Sequence, residues 1–85
     1  MGRSSRKDVN IKDPMLRGLL ATLSGNVRQL RERSEMTQQD LAVKASISIN
    51  TVGEIEQGRV ENITLATIIS LTRALSEKDP LKLLK

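Results

Sequence analysis

The chain of 85 residues contains no cysteine, no histidine and no aromatic residue. The lack of cysteine excludes a disulfide, and together with the lack of histidine it removes the usual zinc ligand sets. Without aromatic rings the chain cannot hold single-stranded nucleic acid by stacking bases, whereas duplex DNA can still be read through its grooves. There is also no phosphate-cradling glycine loop and no isolated carboxylate pair. We therefore expect neither an enzyme nor a bound cofactor or metal.

Long hydrophobic runs are missing as well, since none approaches the ~20 residues that a membrane-spanning helix needs. The basic start, residues 1–7, is not followed by the apolar block of a secretory signal. These features and the lack of cysteine are typical of a cytoplasmic protein with no membrane partner. A chain of this length makes one small domain, which buries about 60% of its unfolded surface.

The positive charge of the chain lies mainly in its N-terminal third. The formal net charge is +4, with a balance of +5 over residues 1–34 and −1 over residues 35–85. Residues 1–12 show no apolar periodicity and predict a flexible basic arm that carries Arg3, Arg6 and Lys7. Such an arm either keeps a protein soluble or seeks phosphates.

Residues 37–58 predict two short helices joined by a tight corner. Thr37 and Ser48 can each cap a helix, because a hydroxyl accepts from the unpaired N–H groups of the first turn. Gly58 supplies the stop, since glycine takes the left-handed conformation without steric cost. Between these ends the apolar residues recur at helical spacing, and Ala42 is small enough for two helices to cross closely. This is the specification of a helix-turn-helix.

A second set of features is the closing phrase Ile55-Glu56-Gln57-Gly58 and the spacing of Leu41, Ala42, Ala45, Ile47, Val52 and Ile55. In these features the chain resembles the phage-repressor and Cro-like (XRE-type) helix-turn-helix proteins over about residues 23–75. The resemblance implies an all-α, lambda-repressor-like domain of five or six helices, here residues 13–85, preceded by the basic arm of residues 1–12. Two departures are Ser46 at the corner, where the family usually has glycine, and Gly53 inside the second helix.

The flanking segments predict further helices. Asp13-Pro14 starts one cleanly, and an apolar stripe follows to Leu30. Ser24-Gly25 predicts a break or kink that separates a short extra helix from the family's first helix, about 23–33. Asp79-Pro80 starts a short last helix. Thr64 can cap the helix before it, whose predicted apolar face holds Leu65, Ile68, Ile69, Leu71, Thr72 and Leu75.

The resemblance also implies roles for individual side chains. Arg31 matches an arginine that forms a structural salt bridge with the acid matching Glu56, and Gln38 matches a position that contacts a DNA phosphate. The second helix of the motif would lie in the major groove. Because this helix carries no lysine or arginine, other parts of the chain must bind the DNA phosphates. The phosphate-contacting candidates are Gln38, Gln39, Lys44, Arg59, Asn62, Arg3, Arg6 and Lys7.

Five residues of the second helix are candidates for reading bases. Ile49 either contacts a thymine methyl or is an ordinary surface isoleucine, and Asn50 binds either an adenine edge or a phosphate. Glu54 either accepts from a cytosine amine or repels wrong sites. Thr51 can touch a phosphate or a base, and Ser48 is better placed as a cap than as a reader.

These features predict a sequence-specific regulator that binds double-stranded DNA, bacterial or phage-encoded. It would act as a repressor and bind a palindromic operator as a homodimer, because one reading helix covers only a few base pairs. The alternative is an antitoxin-like protein that also binds a separate, toxin-like protein through the apolar surface of residues 15–23 and 81–84. A third interpretation, a helix-turn-helix used only for protein contact, predicts no salt-dependent duplex binding.

Overall fold

Four α-helices and one short 3₁₀ helix form the described part of the chain, residues 13–60 and 62–85 of a computed structural model. The helices are α1 (Pro14–Arg33), α2 (Gln38–Ala45), α3 (Ile49–Glu56) and α4 (Leu65–Ala74), followed by the 3₁₀ helix Pro80–Leu84. Within these residues there is no strand, and the all-α prediction is confirmed. The predicted arm lies outside the described residues.

Each helix begins at a side chain that caps it. Thr37 Oγ1 accepts from the N–H of Asp40, and the Asp40 carboxylate accepts from the N–H of Thr37, each at 3.0 Å. These bonds hold the pKa of Asp40 below its ordinary value, and the bond from the Thr37 backbone has the largest effect. Because the caps satisfy N–H groups that have no partner within the helix, local sequence sets where each helix starts. The other four caps are Asp13, Ser48, Thr64 and Asp79.

Each α-helix is followed by a residue in the left-handed conformation. Glu35, Ser46, Gly58 and Ser76 have φ angles of 58°, 59°, 70° and 58°. The residue after each of them donates its N–H to the carbonyl five residues earlier, as Ile47 does to Ala42 at 3.0 Å. Only Gly58 adopts this conformation freely, since a side chain there costs roughly 1–2 kcal/mol. Three of the four helix ends are therefore strained.

Helix α1 runs unbroken through Ser24 and Gly25, so the predicted break or kink is wrong. The Ser24 hydroxyl is buried and donates to the backbone carbonyl of Glu56 in α3. Leu23 and Val27, on the same side of α1, are 1% and 0% exposed. A helix-interior glycine costs about 1 kcal/mol, which this tertiary packing outweighs. One 20-residue helix thus replaces the two expected there, and the described residues hold four α-helices and one 3₁₀ helix.

The core is aliphatic and receives side chains from all five helices. Asn26 of α1 donates to the carbonyls of Lys82 and Leu83 at 3.2 and 3.0 Å, which fastens the 3₁₀ helix against α1. Two residues of the predicted apolar face of α4 do not join the core: Leu65 and Ile69 are 77% and 40% exposed, because no described element covers that side of the helix. The fully buried members are Leu23, Val27, Leu41, Val52, Ile55, Leu71 and Leu83.

The strained corner between α2 and α3 can be relieved by glycine. We expect Ser46→Gly to raise the free energy of unfolding by about 0.5–1 kcal/mol, because the relief of left-handed strain exceeds the extra entropy of glycine in the unfolded chain. Gly58→Ala should lower it by about 1 kcal/mol, since φ there is +70°. Chemical denaturation measures both. Changes of the same sign would show that backbone strain does not govern these two helix ends.

Candidate nucleic-acid interface

Helix α3 has one face inside the protein and one face in solvent. Val52 and Ile55 are 0% and 1% exposed, and α3 packs against both α1 and α2. On the opposite side Asn50 and Glu54 are exposed, and Ile49 is 44% exposed. The inward side chains therefore fix the helix, while its outward face is free to meet another molecule. We call α3 the recognition helix from here on.

The first turn of the recognition helix has two hydroxyls that bond to each other. Ser48 Oγ accepts from the N–H of Thr51 at 3.0 Å, and the two side-chain oxygens lie 2.8 Å apart. Ser48 is thus a cap, and its oxygen is already engaged. The other three candidate readers, Ile49, Asn50 and Glu54, are exposed.

A shallow hollow of about 450 Å³ lies along the outward face of the recognition helix. Its walls combine one aliphatic side chain, three amides and one carboxylate around a glycine. Such a mixture offers donors, an acceptor and apolar contact, the three features by which base edges in the major groove differ. The lining residues are Gln38, Ile49, Asn50, Gly53, Glu54 and Gln57.

Glu56, the last residue of the recognition helix, is 3% exposed and joins α3 to α1. Arg31 Nε donates to Glu56 Oε2 at 2.6 Å and Arg31 Nη2 to Oε1 at 3.0 Å, a two-bond ion pair. The backbone carbonyl of Glu56 also accepts from Ser24 and, at 2.7 Å, from Arg28. Both oxygens of the carboxylate and the carbonyl are therefore satisfied.

Arg31 serves a structural purpose in this arrangement. Its side chain is 13% exposed, and its Nη1 donates to the carbonyl of Met36 at 2.8 Å, in the loop between α1 and α2. The pKa of Arg31 lies above its ordinary value because of the hydrogen bonds to Glu56, although burial acts in the opposite direction. The guanidinium is thus directed into the protein, away from the outward face.

Gln38 stands where α2 meets the recognition helix. Its Nε2 donates to Glu56 Oε1 at 3.0 Å, and it also lines the hollow. The side chain predicted to contact a phosphate is thus held in place by the same carboxylate that binds Arg31. No sequence pattern indicated this hydrogen bond, because the two residues lie 18 positions apart.

The other phosphate candidates surround the recognition helix at its borders. Gln39 and Lys44 are exposed on α2, and Arg59 and Asn62 are exposed on the segment after α3. Arg59 and Asn62 line one hollow of about 420 Å³ together with Glu54. Three further candidates, Arg3, Arg6 and Lys7, lie outside the described residues.

Arg17 is a cation that no sequence pattern singled out. It is exposed on α1 and lines a hollow of about 320 Å³ with Gln57 and Gly58, at the end of the recognition helix. Arg17 reaches this hollow because α1 continues without a break through Ser24. The predicted break therefore hid its position, and only the prediction of one unbroken helix would have indicated it.

The described part of the chain, 13–60 and 62–85, holds no cluster of three metal-ligating side chains. In the same segments no helix combines the length and the apolar character that crossing a bilayer requires.

Comparisons with known proteins point to one family. A family model described as a helix-turn-helix domain matches residues 22–82. The restriction-modification controller protein C.AhdI from Aeromonas hydrophila is 30% identical with a TM-score of 0.70, over 75% of this chain and 94% of that one. The hypothetical transcription factor NHTF from Neisseria is 30% identical with a TM-score of 0.74, over 79% and 75%. A mutant of a second restriction-modification controller protein is 26% identical with a TM-score of 0.69, over 75% and 80%. A search of curated proteins found no match.

The Arg31–Glu56 pair can be tested by a double-mutant cycle. We expect Arg31→Met alone to lower the free energy of unfolding by about 3 kcal/mol or more, because it leaves a buried carboxylate without its cation. Glu56→Gln alone should also destabilise. The double variant should lose less than the sum of the two, which chemical denaturation would show. Additive losses would mean that the two side chains do not act as a pair.

Proposed function

The chain belongs to the helix-turn-helix family of DNA-binding transcription regulators, and on that premise we propose that it is a sequence-specific repressor that binds a palindromic operator as a homodimer. One observation carries the proposal. Ile49 and Asn50 stand in solvent on the first turn of the recognition helix, while Val52 and Ile55 anchor it from behind. The first turn is the part of such a helix that meets base edges in the major groove. The resemblance to a hypothetical transcription factor and to two restriction-modification controller proteins supports a role in control of transcription.

Different residues supply specificity and affinity. Ile49 offers apolar contact to a thymine methyl, Asn50 a donor and an acceptor for adenine, and Glu54 an acceptor for an amine. None of them attracts phosphate, and the recognition helix has no lysine or arginine. Affinity therefore comes from the border, where side chains and the N–H groups at the start of α2 that Thr37 does not cap bind the DNA phosphates. The border residues are Gln38, Gln39, Lys44, Arg59 and Asn62, joined by the arm residues Arg3, Arg6 and Lys7.

Homodimerisation follows from the size of the reading surface. One recognition helix spans a few base pairs, so two copies on a two-fold symmetric operator are needed for useful specificity. Their half-sites would lie about 34 Å apart or a multiple of that. Large apolar side chains available for the contact between copies remain exposed on three elements: Met15, Leu19, Leu65, Ile69 and Leu81.

An antitoxin-like function is the alternative. It draws on the exposed apolar side chains in its two proposed segments, Met15 at 77%, Leu19 at 42% and Leu81 at 58%. In that function the surface would bind a separate toxin-like protein, and the chain would still bind its own operator. A homodimer whose contact buries these side chains would leave no such surface for a second protein and would exclude this alternative.

Selection from random duplexes tests the proposed function. The purified chain is mixed with random double-stranded DNA, the retained sequences are determined, and the mass of the complex is measured in solution. We expect a two-fold symmetric consensus and two chains per duplex. A chain that retains no duplex even in dilute buffer would refute DNA binding. An asymmetric site bound by one chain would refute the homodimer.

Asn50→Ala and Arg59→Gln should weaken binding in different ways. Removal of the Asn50 amide should cost about 1–3 kcal/mol at one base pair and relax the selected consensus there. Removal of the Arg59 charge should weaken all duplexes alike and lower the slope of log affinity against log salt by about 0.9 for each phosphate that is no longer neutralised. Lys78→Gln, which removes an exposed charge in the segment after α4, is the control and should change neither. An unchanged consensus with Asn50→Ala would remove this residue from the readers.

A further inference from the structure

Gly53 lies at the centre of the outward face of the recognition helix. Ile49 and Asn50 precede it by four and three residues, and Gln57 follows it by four, so all three project on the same side. These residues and Gly53 line the same hollow of about 450 Å³. The large side chains form the walls, and the missing side chain of Gly53 leaves a notch in the middle.

Nothing within the described residues requires glycine at this position. Gly53 is not among the glycines with positive φ, and a Cβ placed on it would meet no atom within 4 Å. Alanine would therefore fit, and it would favour the helix, because glycine in a helix interior is less stable than alanine. The folded chain alone gives no reason for the notch.

Two other glycines show that open space alone is not informative. Gly18 and Gly25 in α1 also have no atom within 4 Å of an added Cβ. Neither lines the hollow on the recognition helix. Gly53 differs from them in its place, between the side chains that read bases in the proposed function. Gly25 therefore provides a matched control within the same chain.

We propose that Gly53 determines specificity because its notch admits the 5-methyl group of a thymine into the hollow. Ile49 forms an aliphatic wall beside the notch, and the thymine methyl is the apolar group that the major groove presents. The amides of Asn50 and Gln57 stand within the same hollow and can donate to the O4 acceptor of that thymine. The inference rests on the proposed binding of duplex DNA and adds to it the base that the centre of the helix reads.

Gly53→Ala should make the protein more stable and a poorer reader. We expect the melting temperature to rise by about 2–8 °C, since a helix-interior glycine is replaced in a small domain. Affinity for the selected operator should fall about tenfold or more, because the added methyl fills the notch. Affinity for random duplexes should stay within about twofold, since phosphate contacts are untouched. Gly25→Ala should raise the melting temperature similarly and leave both affinities unchanged.

Thymine-to-uracil replacement in the operator identifies the group in the notch. Each thymine of a half-site is replaced in turn, which removes only the methyl. At one position the wild-type chain should lose about fivefold or more in affinity, whereas Gly53→Ala should lose almost nothing further there. Equal sensitivity of the two chains at every thymine would overturn the proposal.

The outcomes separate this inference from the proposed function. If the wild-type chain selects an operator and Gly53→Ala binds it equally well, the notch has no role and DNA recognition stands. If Gly53→Ala weakens operator and random duplexes alike, the glycine serves close approach of the backbone, and thymine reading is wrong. If the wild-type chain selects no duplex, the proposed function itself fails.

Discussion

The buried carboxylate of Glu56 is the contact on which the rest of the structure depends. It takes two hydrogen bonds from Arg31 in α1 and one from Gln38 in α2, while it ends the recognition helix itself. Three helices thus meet at a single residue. A carboxylate buried to this extent persists only with its partners in place, so the tilt of the recognition helix follows from the positions of α1 and α2. Small movements of these helices would carry the outward face of the recognition helix with them.

The recognition helix has no lysine or arginine, the cations that DNA attracts most. Within the recognition helix the charged residues are Glu54 and Glu56, both acidic, and the second is turned inward. In the proposed function the cations of the borders supply attraction, and the acidic Glu54 penalises duplexes that fit badly. Affinity and selectivity would then be carried by separate parts of the surface, so each can change without the other.

The sequence predicts the helix ends well because caps and stops are local chemistry. Thr37 and the other capping side chains stand next to the groups they satisfy, and the helix-turn-helix follows from spacing alone. Long-range contacts were out of reach. Ser24, in the middle of the unbroken α1, donates to a carbonyl 32 positions away. Local helix propensity does not include this contact and reflects only the glycine beside Ser24. Leu65 and Ile69 are exposed because no described element covers their side of α4. An apolar stripe in the sequence does not show which of its residues will be covered.

The caps at both ends of the helices have a consequence for how quickly the protein forms. Their bonds join residues that are at most five positions apart. Small helical domains rich in such short-range contacts fold in microseconds to milliseconds, whereas synthesis adds about 5–20 residues per second. A newly released chain would therefore reach its folded state almost at once. In the proposed function, the delay before the protein acts on its operator would then be set by the number of copies made and by their encounter with one another.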